Sequence, residues 1–362
     1  MTKRAAVILA GGKARRFQTK GGARWEDKAL ATISGKPLLI YALENVHGVV
    51  DEVAVSVKDE ERAVRYEEIL RTNGLNKVRI VVDEKSDISG PTVAIMSGLR
   101  RVKADYCLTL PCDMPFLDPK VADYLFKQAE EYEVVTPMWP NGRLETLLTV
   151  LERQTGLEIT ETLCRLKRPR SDDIQRGASK TLLVSALNEI KELDPELKSF
   201  ININSKEDLN KPQTRRAHGP IKENVKINLG TSPISYFKPL KEAAEMIHQG
   251  NLPEAQSIFS SCSRSFEAKE AFFWAGICGE NQGETMLKLS GQQREQELAL
   301  ALDFQGKEAF VRAANDYRLE SERFEEYGCR LLAERALADK AWCESWAMGK
   351  TAHVHRYPSK VA

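Results

Sequence analysis

The chain has 362 residues, of which 42% are apolar and 29% charged, with a formal charge of +1. That length predicts two or three domains, each with enough Leu, Ile, Val and Phe to bury a core. The near-neutral balance excludes a global basic field for nucleic acid and an acidic solvating tail.

The apolar stretch of the opening MTKRAAVILAGG is shorter than a secretory h-region and runs into Gly-Gly and further cations. No segment approaches the length of a membrane span. These features predict a soluble, cytoplasmic protein with no membrane partner and no nucleic-acid partner. The seven cysteines (107, 112, 164, 262, 278, 329, 343) are dispersed without a C-x-x-C pair, which fits reduced, buried thiols. His353 and His355 form an H-x-H without a nearby cysteine or carboxylate to complete a metal set.

In chain order, continuous apolar runs at Ala5–Leu9, Val53–Val57, Val78–Asp83 and Tyr106–Leu110 predict strands covered on both faces. Helical patterns over Pro37–Val46, Glu60–Thr72, Thr92–Val102 and Pro119–Glu131 alternate with them. Glu133–Pro137, Glu145–Leu151, Thr181–Ala186 and Phe200–Asn204 read as further strands. This alternation predicts an α/β fold with a doubly wound, mostly parallel sheet over residues 1–211. The basic run Arg165–Arg170 reads as solvated surface.

Residues 212–235, polar and rich in Pro, Gly and Lys, read as a linker. Residues 236–352 are helical in pattern, and 353–362 form a tail. Ala243, Ala244, Gly250, Ala255 and Phe259 follow the spacing of a tetratricopeptide hairpin, with an echo at Gly306, Ala309, Ala313 and Tyr317. A helical-hairpin, all-α domain is expected there, and its spacing suggests a surface for a protein partner.

Three features point to chemistry. The loop ILAGGKARRFQTKGGARWEDKAL (Ile8–Leu30) follows the first strand, where a doubly wound sheet holds phosphate. It matches neither G-x-x-x-x-G-K-[ST] nor G-x-G-x-x-G. Arg15, Arg16 and Lys28 instead suggest that side-chain cations neutralise the anion beside glycines that admit its close approach. Asp113, in LPCDMPFL just past an apolar strand, suits Mg²⁺ held by one carboxylate plus nucleotide phosphates and water, or else caps a turn. Asp83, at another strand end, is either a turn residue or an acceptor for a base or ribose.

LAGGKARRF, DKAL, VVDEKSDISGPTVAI, LPCDMPFL and FININSKEDL occur in the order and approximate spacing of the molybdenum cofactor guanylyltransferases. Over roughly residues 1–210 the chain resembles that family of MobA-like nucleotidyltransferases. The resemblance implies that Leu9, Ala10 and Gly11 line the nucleotide site, with Gly12 completing the turn. It implies that Lys28 and Arg16 contact phosphate, that Asp83 binds the guanosine part, and that Asp113 binds nucleotide and Mg²⁺. Asn202 and Asn204 would lie near the junction of the two substrates. The implied reaction joins GMP from GTP to the terminal phosphate of molybdopterin and releases pyrophosphate. The L-A-G-G spelling favours GTP over CTP.

The chain departs from the family pattern at Gln18, where members commonly carry glycine, and in the longer loop Thr19–Glu26. Ser56 stands where Asn is frequent, and Gly90-Pro91-Thr92-Val93-Ala94 replaces G-P-L-A-G. Competing readings are another acceptor (a sugar phosphate, cobinamide phosphate, or molybdopterin with CTP) and a nucleotide-sensing scaffold.

Overall fold

The first apolar run forms β1 (Arg4–Leu9), whose Ala5, Ala6, Val7 and Ile8 are fully buried. A short hairpin follows, β2 (Thr32–Ile33) and β3 (Lys36–Pro37), preceded by a 3-10 turn at Lys28–Leu30. Then come α1 (Leu38–Val46), β4 (Glu52–Val57), α2 (Glu60–Thr72), β5 (Arg79–Val82), α3 (Pro91–Arg101), β6 (Tyr106–Pro111) and α4 (Pro119–Gln128). Local sequence starts these helices. Asp59 caps α2 by accepting from the Arg62 amide, Asp118 caps α4, and proline opens both α3 and α4.

The chain continues through β7 (Val134–Met138), β8 (Thr149–Glu152), α5 (Arg153–Arg165), α6 (Asp172–Gly177), β9 (Lys180–Ser185), α7 (Glu189–Leu193), α8 (Lys206–Asn210) and β10 (Val225–Asn228). The eight-stranded sheet runs β10-β9-β7-β8-β6-β1-β4-β5. β6, β1, β4 and β5 are mutually parallel, β7 is parallel to β9, and β8 lies antiparallel between β6 and β7. The fold is thus the expected mostly parallel α/β sheet. The chain leaves β1 toward β4 on one side and returns to β6 on the other, so the crevice of the sheet opens at the end of β1.

Helix α3 packs close to β1. A Cβ built on Gly98 would stand 2.4 Å from Val7 Cγ1. Gly98→Ala is therefore expected to destabilise the protein by about 1–3 kcal/mol through overpacking. A chemical denaturation midpoint equal to that of the parent would contradict this.

The computed structural model describes residues 2–12, 14, 17–18, 26–212, 219–220, 222–229 and 232–350. Two compact units emerge: one holds Met1–Pro140, Leu144–Gln175 and Lys180–Lys226, the other Asn141–Arg143, Arg176–Ser179 and the described chain from Ile227 onward. No helix among the described residues is long and apolar enough to cross a membrane. All seven cysteines are buried, and none of them forms a disulfide.

Several local expectations are corrected. Phe200–Asn204 is not a strand. Its apolar residues pack instead of pairing: Ile201 and Ile203 are buried with Leu38, Phe200 N and Ile201 N close local turns on Leu197 O and Lys198 O, and Ile203 N reaches Asp113 O. The strand expected over Glu145–Leu151 begins only at Thr149, because Glu145–Leu148 is a turn closed by Leu148 N on Glu145 O. Val225–Asn228, inside the stretch read as linker, is a strand. The basic run is not uniformly solvated: Arg168 is 1% exposed and ion-pairs with Asp173 at 3.0 Å, and Arg170 pairs with Asp172.

The helical unit holds α9 (Phe237–His248), α10 (Leu252–Glu267), α11 (Phe272–Gln292), α12 (Gln296–Glu326) and α13 (Arg330–Ala347). α9 and α10 form a hairpin through a turn at Gly250, whose φ of +82° suits glycine. The second tetratricopeptide echo is not a hairpin. Gly306, Ala309, Ala313 and Tyr317 lie inside one 31-residue helix, where a Cβ on Gly306 would stand 3.2 Å from the Gly283 carbonyl and from Leu287 Cδ2. Phe237, Phe259, Phe266, Trp274, Phe310 and Tyr317 build the core. Arg176 is buried there, bidentate on Glu320 and bonded to Asp339, each at 2.7 Å.

Candidate active site

The ends of β1, β4, β5 and β6 share one edge of the sheet, and the segments beyond them enclose a cavity of about 720 Å³. That size suits a nucleotide-sized ligand. Leu9, Ala10, Gly11, Gly12, Lys28, Asp83 and Asp113 all line it. Asn202 and Asn204 do not appear among its described walls. They flank Ile203, whose amide holds the Asp113 carbonyl at 2.9 Å. Asn202 Nδ2 donates to Phe200 O, and the Asn204 amide donates to Asp208. Arg16, like Arg15, His353 and His355, lies outside the described residues.

The loop after β1 is anchored by Ala10 N on Ser56 O at 2.9 Å. Gly11 is there for closeness: a Cβ would sit 3.2 Å from Lys58 N and 3.3 Å from Asp83 Oδ2. Ala14 has φ +44°, an uncommon conformation for a residue with a side chain, and its carbonyl receives Phe17 N and Gln18 Nε2. Gln18 also brackets the longer loop. Its Oε1 accepts from Glu26 N and its Nε2 donates to Glu26 O, both at 2.8 Å. The Gln18 side chain thus joins the described residues on either side of positions 19–25. Glu26 in turn pairs with Lys206 at 2.6 Å.

Lys28 sits on the 3-10 turn capped by Asp27, and its Nζ lies 2.5 Å from Asp113 Oδ2. The two side chains are 14% and 19% exposed. Asp113 Oδ1 is buried and has no hydrogen-bond partner. A carboxylate with one oxygen on a lysine and the other bare is suited to a hard cation in the cavity. Among the described residues no group of three or more His, Cys, Asp or Glu converges. A cation there would draw its other ligands from phosphates and water.

Asp83 accepts from the Ser56 hydroxyl at 2.5 Å. Burial pushes its carboxyl above the ordinary carboxylate range, while that hydroxyl and the Arg62 charge pull it back. Burial also pushes the Cys112 thiol, on the cavity wall, up to about 12, so it stays protonated and is no nucleophile. Sequence reasoning missed Asp27, Arg62 and Tyr66, which stand behind the loop. Arg62 and Tyr66 share a face of α2 at i and i+4, but nothing in the sequence aims that face at the loop.

Residues 6–176 match the MobA-like NTP transferase domain. The chain is 33% identical over 207 residues to a probable molybdenum cofactor guanylyltransferase of Methanosarcina acetivorans, covering 57% of this chain and 88% of that one. It is 32% identical over 206 residues to the Methanosarcina mazei counterpart, with the same coverage. A solved structure of molybdopterin-guanine dinucleotide biosynthesis protein A from Archaeoglobus fulgidus is similar with a TM-score of 0.47 and 22% identity, over 57% of this chain and 95% of that one.

Proposed function

Since the chain belongs to the MobA-like NTP transferase family and is a nucleotidyltransferase, we propose that it transfers GMP from GTP to the terminal phosphate of molybdopterin. The product is the guanine dinucleotide form of the molybdenum cofactor, and pyrophosphate leaves. The observation that carries this reading is the meeting of Lys28, Asp113, Asp83 and the Ala10–Gly12 backbone around one cavity.

In the proposed reaction a molybdopterin phosphate oxygen bonds to the α-phosphorus of GTP, and the bond from that phosphorus to the α-β bridging oxygen breaks. The electron pair leaves on pyrophosphate. The nucleophile is already anionic, so the protein needs alignment and charge neutralisation rather than a strong base. Lys28 binds phosphate oxygens, and Arg16 adds a second cation. The glycine loop brings backbone amides to the same oxygens. Asp113 would hold a divalent cation, Mg²⁺ in our reading, through the oxygen that has no partner in the protein. Bound there, Mg²⁺ supplies charge neutralisation for the triphosphate. Asn202 and Asn204 lie beside the backbone of Asp113, where the second phosphate must arrive.

Asp83 supports GTP over CTP. A carboxylate can accept from the adjacent ring and exocyclic N–H groups of guanine together, whereas cytosine offers only its 4-amino group beside a ring nitrogen that is an acceptor. The test is pyrophosphate release from each of the four nucleoside triphosphates with purified molybdopterin. GTP is expected to exceed CTP by about 10²-fold or more in kcat/KM, the discrimination of a site built to bond particular donors. Equal rates with CTP, or release only when a sugar phosphate or cobinamide phosphate is supplied, would overturn the proposed substrate pair.

A further inference from the structure

Behind the phosphate loop lies a buried polar group to which the reaction above gives no role. Arg62, on α2, is 7% exposed. Its Nη1 donates to Ala10 O and its Nη2 to Gly12 O, both at 3.3 Å. Its Nε is 3.8 Å from Asp27 Oδ2. Tyr66, one turn further along the helix and fully buried, places its hydroxyl 3.0 Å from both Asp27 oxygens and 3.5 Å from Ala10 O. Asp27 Oδ1 also accepts from Ala29 N at 3.2 Å, closing the turn that carries Lys28. One guanidinium therefore ties two carbonyls of the glycine loop to the carboxylate that fixes the Lys28 turn.

The peptide plane turns this into a statement about the ligand. In a trans peptide the C=O and the following N–H point in opposite directions. Holding the carbonyl of Ala10 on Arg62 fixes the N–H of Gly11 on the far side of that peptide plane from it. That is a group a phosphate would accept from. The fork of arginine matters, because its planar donors reach two carbonyls at once, whereas a lysine ammonium on a flexible stem is a point charge. Asp27 offsets the buried charge, which lets the arginine sit behind an anion site at tolerable cost.

We propose that Arg62 is a positioning residue for the triphosphate, and that with Asp27 and Tyr66 it sets the phosphate loop and the Lys28 turn as one piece. This rests on the nucleotidyltransferase reading of the cavity, but not on the identity of the acceptor.

The test compares GTP with guanosine, which shares the base and ribose and lacks the phosphates, by titration calorimetry on the full chain without acceptor. Arg62→Lys is expected to weaken GTP by about tenfold or more, the scale of a lost charge-assisted hydrogen bond, and to leave guanosine within about twofold. Tyr66→Phe removes only the hydroxyl that supports Asp27, and is expected to weaken GTP about threefold with guanosine unchanged. Unchanged GTP affinity in Arg62→Lys would overturn the inference, as would equal losses for GTP and guanosine, which mark a merely structural role. If Arg62→Lys does not fold, Tyr66→Phe decides by the same two outcomes. The unsubstituted protein is measured first. If it bound no nucleoside triphosphate, the proposed function itself would fall, whereas binding with an unchanged ratio in the variants overturns the positioning role alone.

Discussion

Asp113→Asn and Lys28→Ala are each expected to lower turnover about 10²–10³-fold, or ~2.7–4 kcal/mol of barrier, the scale of losing one preorganised electrostatic group at a reacting centre. The two residues reach the same point from different parts of the sequence. Asp113 follows β6, the strand beside β1, and its backbone is held by Ile203 N. Lys28 comes from the 3-10 turn that Asp27 caps. They pair at 2.5 Å, and this ion pair engages only one carboxylate oxygen. Asparagine at 113 keeps shape and removes charge, and alanine at 28 removes the cation. Both are expected to hold the fold, since the pair is partly solvated and the strand and turn that carry it have other bonds. Steady-state rates of pyrophosphate release, with thermal melts alongside, check this. A variant that melts like the parent and keeps full turnover would remove that residue from the site.

Asp316→Asn is expected to stabilise the helical unit by about 3–5 kcal/mol near pH 8, at the linkage rate of about 1.4 kcal/mol per pH unit. Asp316 is 4% exposed and its Oδ2 has no hydrogen-bond partner. Burial pushes its carboxyl up to about 8, and the charges of Glu267 and Glu320 push the same way against Arg312. The sign follows from the proton count. Between the ordinary carboxylate value of 3.8 and about 8, the folded chain keeps a proton that the unfolded chain has released. The stability contributed by this group is therefore complete below 3.8 and is lost as pH rises toward about 8. Asparagine does not titrate, so its advantage should vanish near pH 4 and grow to a plateau near pH 8. Denaturant midpoints for both proteins across that range give the answer, and a constant difference would contradict the shifted carboxyl.

The sheet was legible because β1, β4, β5 and β6 are continuous apolar runs, and burial on both faces leaves that trace in a sequence. The helix beginnings were legible because Asp59, Asp118, Pro91 and Pro119 act locally. Residues at strand ends could be placed in the crevice once the strands were known, and Asp83, Asp113 and Ala10–Gly12 do line one cavity. What needed the fold was every partner chosen across the chain. Arg62 and Tyr66 read as an ordinary helix face until their distances to Ala10, Gly12 and Asp27 are known. Arg168 reads as solvated until Asp173 is seen beside it. Phe200–Asn204 has the apolar content of a strand, yet its hydrophobic residues find partners without a ladder. Gly306 shows a different ambiguity. Small residues spaced for a helical hairpin also serve close packing of two long helices, and here the second use won.

The most direct test of the central proposal is the mass of the product formed from GTP and purified molybdopterin. The expected result is molybdopterin increased by one GMP, in equal amount to the pyrophosphate released. GTP consumed without that product, or GMP found on a different phosphate acceptor while molybdopterin stays unmodified, would contradict it.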